Sequence, residues 1–134
     1  MSDNIFVDTN ILVYSVADDL RKRDIADKLL LSHDIVVSAQ VISEFIVVTI
    51  RKHILETPKA IEYAKQFMQV FQVVPLTKNT ITSAVEVMGK YHFSYWDSLI
   101  LAAALKTGCT SVYSEDLQDG QRIEETLTIV NPFK

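Results

Sequence analysis

The stretch DNIFVDTNILVYSVAD, Asp3 to Asp18, decides how the rest of the chain is read. Its apolar run Ile5-Phe6-Val7 has the length and composition of a buried strand. The run stops at Asp8, and Asn10 to Ala17 then reads as a short helix. Asp8 is the only charge between Asp3 and Asp18. An unpartnered charge in an apolar setting costs several kcal/mol, so it shifts its pKa, pairs, or binds a metal.

Two more stretches repeat the pattern. In DIVVSAQVISEFIVVTIR, Glu44 is the only charge between Asp34 and Arg51. In KYHFSYWDSLILAAALK, Asp97 is the only charge between Lys90 and Lys106. No Lys or Arg lies close in sequence to any of the three acids. Brought together they repel, and a divalent cation is the simplest resolution.

Outward from these stretches, short apolar runs alternate with longer helical patterns. Leu20 to Leu31 reads as an amphipathic helix with Leu20, Ile25, Leu29 and Leu30 inward and Arg21, Lys22, Arg23, Asp24 and Lys28 mostly outward. Ile35-Val36-Val37 is a second strand, and Ser38 an N-cap for a helix to about His53. Thr57-Pro58 opens a helix to about Val70, cap followed by proline. Val73-Val74-Pro75 is a third strand, and Thr77 or Thr80 caps a helix to about Lys90. Ser94 starts the next helix, which ends before Gly108 as a C′ glycine. Ser111-Val112-Tyr113 is a fourth strand and Leu127 to Val130 a fifth. This alternation predicts an α/β sandwich with a mainly parallel sheet. Ligands in such sheets bind at the carboxyl ends of the strands. Asp8 follows strand one, Asp116 lies just beyond strand four, and Glu44 and Asp97 sit in first turns of helices.

The 134 residues fit a single domain over 1–134. Hydrophobic residues are 49% and mean hydropathy is +0.17, a hint of an apolar interface, a homo-oligomer or a partner groove. Cys109 is the only cysteine, so no intramolecular disulfide forms. The start MSDNIFVD has no secretory pattern, and no apolar run nears the ~18 residues of a membrane span. The expectation is a cytoplasmic protein without a membrane partner. A net charge of −4 argues against broad electrostatic capture of nucleic acid. A bound divalent cation would invert that locally.

Each acid taken alone has a structural explanation. Asp8 caps the short helix, Asp97 completes Ser94-x-x-Asp97 as a capping box, Asp116 turns a loop beside Glu115 and Asp119, and Glu44 points to solvent. Glu44 fits this least, because Val41, Ile42, Phe45, Ile46, Val47 and Val48 cover nearly every helical direction. Capping does not explain four acids near the carboxyl end of one sheet. Oxygen ligands without His or Cys select Mg²⁺ or Mn²⁺ over zinc. The matching chemistry is phosphodiester hydrolysis.

At Val7-Asp8-Thr9-Asn10, Ser43-Glu44-Phe45, Trp96-Asp97-Ser98-Leu99-Ile100 and Tyr113-Ser114-Glu115-Asp116-Leu117-Gln118-Asp119-Gly120, the chain resembles the PIN-domain nucleases, especially the toxin subunits of VapBC toxin–antitoxin pairs. The resemblance spans the chain. It implies a three-layer α/β/α sandwich and a Mg²⁺- or Mn²⁺-dependent ribonuclease acting on RNA, often dimeric, inhibited by a cognate antitoxin. Carried over by position, Asp8 and Asp97 are direct metal ligands, and Glu44 and Asp116 complete the acidic pocket. Thr9, Asn10 and Ser114 orient the acids, and Asp119 is a further candidate.

The other features read mainly as structure. Arg21-Lys22-Arg23 is a solvated helix face, with RNA contact or an antitoxin salt bridge as the alternative. Arg51-Lys52-His53 offsets a helix dipole. Tyr91, Phe93, Tyr95 and Trp96 read as core or dimer packing rather than base stacking. His33, His53 and His92 lack ligand spacing, and Cys109 reads as core. Two rival functions stand beside the nuclease. One is a non-catalytic binding module of the same fold. The other is a haloacid-dehalogenase-type phosphatase with Asp8 as nucleophile, although Asn10 stands where that chemistry wants a second Asp; a response-regulator receiver fits less well again.

Overall fold

The computed structural model describes residues 4–134. The elements run β1 (Asn4–Val7), α1 (Thr9–Tyr14), α2 (Leu20–Ser32), β2 (Asp34–Ser38), α3 (Ala39–Arg51), α4 (Thr57–Val70), β3 (Gln72–Val74), α5 (Lys78–Tyr91), α6 (Tyr95–Lys106), β4 (Ser111–Tyr113), β5 (Arg122–Ile123) and β6 (Leu127–Val130). The sheet order is β3-β2-β1-β4-β6-β5. Every pairing is parallel except β5 with β6.

Parallel neighbours need crossovers, and these are right-handed. Stepping from β1 to β2 to β3 therefore puts α1–α4 on one face. Returning from β3 to β4 puts α5 and α6 on the other. The packing agrees: α1 touches α2 and α3, α3 touches α4, and α6 lies against α5, β2 and β4. The result is the expected α/β/α sandwich. β1 is central, with Phe6 and Val7 fully buried. On α6 every residue from Ser98 to Ala104 is buried, because this helix is enclosed by sheet and α5. No described helix is long and apolar enough to cross a membrane.

The helix starts follow local chemistry. The Ser38 hydroxyl accepts from Val41 N–H at 3.2 Å, and Ser94 from Asp97 N–H at 3.1 Å. Thr77 and Thr80 act together, each accepting from the other's backbone N–H, so both candidates for that cap take part. Gly108 takes φ +72° after α6, the left-handed C′ position a glycine fills without strain.

Four expectations need correction. Thr57 is inside α4; Glu56 holds the extended N-cap backbone and makes no side-chain cap. Leu20 is 77% exposed, because it is the first residue of α2 and projects past the core. The short helix starts at Thr9 and stops at Tyr14 rather than Ala17. The strand at Leu127 is the sixth, because the two-residue β5 pairs antiparallel with it.

Candidate functional site

β1 and β4 are adjacent and parallel, so their carboxyl ends deliver Asp8 and Ser114 side by side. The Ser114 hydroxyl donates to Asp8 Oδ2 at 2.8 Å, and Thr9 N–H donates to Asp8 Oδ1 at 2.7 Å. Asp8 is thus the N-cap of α1 and a buried pocket wall at once. Thr9 turns the other way and donates its hydroxyl to Glu44 Oε1 at 2.7 Å, tying α1 to α3. The Asn10 side chain accepts from Glu115 N–H at 3.1 Å and donates to Asp116 Oδ2 at 3.2 Å. It also reaches Ser114 Oγ at 3.4 Å, and Ser114 Oγ accepts from Asp116 N–H at 3.2 Å. One hydrogen-bonded set therefore links β1, α1, α3 and the loop after β4.

Asp8, Glu44, Asp97 and Asp116 all line one pocket of about 410 Å³, with Thr9, Asn10, Tyr14, Lys52 and Glu115. Asp119 is not among them. It accepts from Asn131 N–H at 2.8 Å and lies 3.8 Å from Lys134 Nζ, so it fastens the C-terminal segment.

Burial pushes the Asp8 carboxyl from 3.8 up to about 6, with Glu44 and Asp97 adding to the rise. The hydrogen bonds from Ser114 and Thr9 pull the other way and do not compensate. Burial also raises Asp97, opposed by Ser94 and helped by the charges of Asp116 and Glu44. The mutual repulsion anticipated from the isolated acids is present.

Reading the sequence missed a second layer. Lys22 forms an ion pair with Glu115 and a 3.2 Å hydrogen bond to Tyr14 Oη, and Tyr14 donates to Glu115 Oε1 at 2.5 Å. Burial works against the Glu115 charge, but these bonds outweigh it and hold its carboxyl below its ordinary range. Arg21 donates to the Phe133 carbonyl at 3.0 Å. Two of the three residues of the Arg21-Lys22-Arg23 cluster thus serve the fold, and Lys22 is drawn inward rather than solvated. Residues 93 apart gave no sequence signal for that pair. Lys52 lines the pocket although its position predicted only a dipole role; among the described residues it makes no salt bridge.

The donor set suits a hard cation: carboxylate oxygens, no His or Cys in the lining, and a buried acid facing two others. Among the described residues no three acids, histidines or cysteines are already drawn close enough to hold one ion.

The family model for the PIN domain matches residues 5–122. No curated protein matches the chain by sequence. Among solved structures, a toxin–antitoxin complex from Klebsiella pneumoniae is similar with a TM-score of 0.71 and 20% identity, covering 96% of this chain and 97% of that one. VapC20 from Mycobacterium tuberculosis, described as a sarcin-ricin loop cleaving toxin, is similar with a TM-score of 0.69 and 22% identity over 84% of this chain and 91% of its own. VapBC2 from Rickettsia felis, solved on a DNA fragment from its promoter, gives 0.68 at 15% identity over 96% and 99%. At these identities the likeness is one of fold.

Proposed function

The chain belongs to the PIN domain family, and from that premise we propose that it is a divalent-metal-dependent endoribonuclease, the toxin of a toxin–antitoxin pair. One observation carries this reading: five carboxylates, Asp8 after β1, Glu44 on α3, Asp97 on α6, and Glu115 and Asp116 in the loop after β4, line one pocket whose only lining lysine or arginine among the described residues is Lys52. A purely structural pocket has no use for a carboxylate such as Asp8, whose pKa burial raises and whose neighbours Glu44 and Asp97 raise further. The similar toxin–antitoxin complexes support the biological assignment by likeness of fold.

In this reading Asp8 and Asp97 would hold Mg²⁺ or Mn²⁺ directly, and Glu44 and Asp116 would complete the site through water or a second ion. When bound, the ion supplies Lewis-acid polarisation of the phosphate and a water acidic enough to ionise near neutral pH. The chain supplies the rest. Ser114 and Thr9 N–H fix the Asp8 oxygens, so that carboxylate is aimed before anything binds. The Thr9 hydroxyl occupies one Glu44 oxygen and orients the other. Asn10 holds Asp116 and the Glu115 backbone, setting the exposed rim. The net reaction adds water across a P–O bond, giving a phosphate monoester and a free hydroxyl. A homodimer, a cognate antitoxin and a cytoplasmic setting complete the proposal. The phosphatase rival is disfavoured, because Asn10 spends its amide on Glu115, Asp116 and Ser114 where that chemistry wants an acid.

The test is cleavage of labelled RNA by highly purified protein in Mn²⁺, in EDTA, and with Asp97→Asn prepared in parallel. Cleavage that disappears in both controls is the expected result. Equal cleavage by the variant would mean a misplaced site or a contaminant. No cleavage of any RNA would favour the binding-module reading.

A further inference from the structure

The acidic pocket does not end at Glu44. The same residue lines a second, more apolar recess of about 440 Å³, bordered by Ala39, Gln40, Ser43, Leu76 and Trp96. Trp96 immediately precedes Asp97 on the first turn of α6, yet its indole is 61% exposed. Of the expected core or dimer packing, the core option is therefore corrected. Exposing an indole forgoes its large burial gain. The ring is also held in place: Tyr95 packs against it edge-on, with centroids 5.2 Å apart at 66°. Leu76, half exposed, contributes a second apolar surface of the recess. The polar members sit at one side. The Gln40 amide donates to the Trp96 carbonyl at 3.3 Å and to Glu44 Oε2 at 3.5 Å, and Ser43 is exposed beside it.

The geometry points to this recess as a nucleobase subsite, with Trp96 as the stacking platform for a base of single-stranded RNA next to the scissile phosphate. The inference rests on the nuclease reading and deepens it. A flat indole, an aliphatic wall and a few amide and hydroxyl groups make up the chemistry that takes a base face and base edge. Continuity through Glu44, and the direct bond from Trp96 to Asp97 in sequence, put that chemistry beside the phosphate-handling acids. A strand whose phosphate lies among the carboxylates would carry its neighbouring base into the recess. Net negative charge leaves little non-specific phosphate attraction, so stacking adds affinity on this face beyond what a bound cation and Lys52 offer the phosphate. Trp96 acts as a positioning residue for substrate and takes no part in bond making.

Trp96 is the sole tryptophan, so its fluorescence reports the recess without interference. Wild-type protein with Mg²⁺ is mixed in a stopped-flow instrument with a short single-stranded oligoribonucleotide, and with copies carrying one abasic position each. The expected result is rapid quenching before cleavage, lost for one abasic position. In steady-state cleavage Trp96→Ala should raise KM about tenfold or more with the smaller change in kcat, while Trp96→Phe restores most of the loss. Sedimentation velocity on wild type and both variants runs alongside. Cleavage without quenching, with equal KM for all three proteins, would overturn the subsite and leave the nuclease standing. Dissociation of a dimer by Trp96→Ala without quenching in wild type would assign the recess to a second copy and overturn it too. Quenching without cleavage would keep the subsite and sink the nuclease.

Discussion

Asp8 and Asp116 face the same pocket from opposite conditions. Asp8 is 8% exposed, carries hydrogen bonds to both carboxylate oxygens, and has its pKa pushed up to about 6. Asp116 is exposed, and among the described residues its carboxylate is touched by the Asn10 amide. The inner wall is fixed in geometry and electrostatically stressed; the rim is solvated and able to adjust. Stress of this kind is a cost to folding that a bound cation relieves. The inner wall therefore sets what the pocket binds, and the rim tunes how.

The largest effect separating the two walls should come from Asp8→Asn. Metal-dependent cleavage should fall on the order of 10²- to 10³-fold, as for loss of one preorganised electrostatic group, and the metal-free protein should become more stable at neutral pH. The sign follows from the raised pKa. Below pH 3.8 Asp8 is protonated in both folded and unfolded chains and imposes no penalty. As pH rises through about 6, the unfolded chain ionises first and stability is lost. The full loss is about 3 kcal/mol for a rise from 3.8 to about 6. Urea melts at pH 4 and pH 7, without metal, should show this drop in wild type and not in Asp8→Asn. A wild-type stability that rises over this interval would break the contrast between the walls.

Ser114→Ala should come next. It removes the hydroxyl that helps keep Asp8 ionised, so the acidic limb of the pH–rate profile should move to higher pH. Cleavage should fall roughly 10- to 100-fold, the usual loss when a group orienting a ligand is removed. Asp116→Asn should cost less, about tenfold, and should not move the acidic limb upward as Ser114→Ala does, because Asp116 is not among the groups that shift Asp8 and its charge raises Asp97. Equal losses from Asp116→Asn and Asp8→Asn would erase the distinction. The smallest effect should be Asp119→Ala: unchanged cleavage and a stability loss of about 1 kcal/mol, from one lost hydrogen bond to Asn131.

The same contrast explains what the sequence made readable. Asp8 was legible because burial leaves an imprint: a lone charge in an apolar stretch marks the inner wall. Ser38, Ser94 and the Thr77–Thr80 pair were legible because capping is local, spanning three residues. Lys22 with Glu115 was not, since nothing in the α2 pattern distinguishes a lysine that finds a partner 93 residues on. β5 was too short, at two residues, to show alternation. For Trp96 the core half of the expected core or dimer packing failed, because hydrophobicity signals burial while its exposure reflects its place at the pocket edge. Asp119 shared the acidic loop that made Asp116 a candidate, but its carboxylate accepts from Asn131 N–H and so is turned to the C-terminal segment.

The 2.8 Å bond between Ser114 and Asp8 spans 106 residues, and β4 must slot beside β1 to make it. While a ribosome is still synthesising this chain, the first half can carry Asp8 and Glu44 into the open but has nothing to complete the pocket. Asp97 and then Ser114 and Asp116 emerge later. Whatever RNA surrounds the nascent polypeptide, including the message and the ribosome producing it, meets an unfinished site until the residues after β4 have emerged.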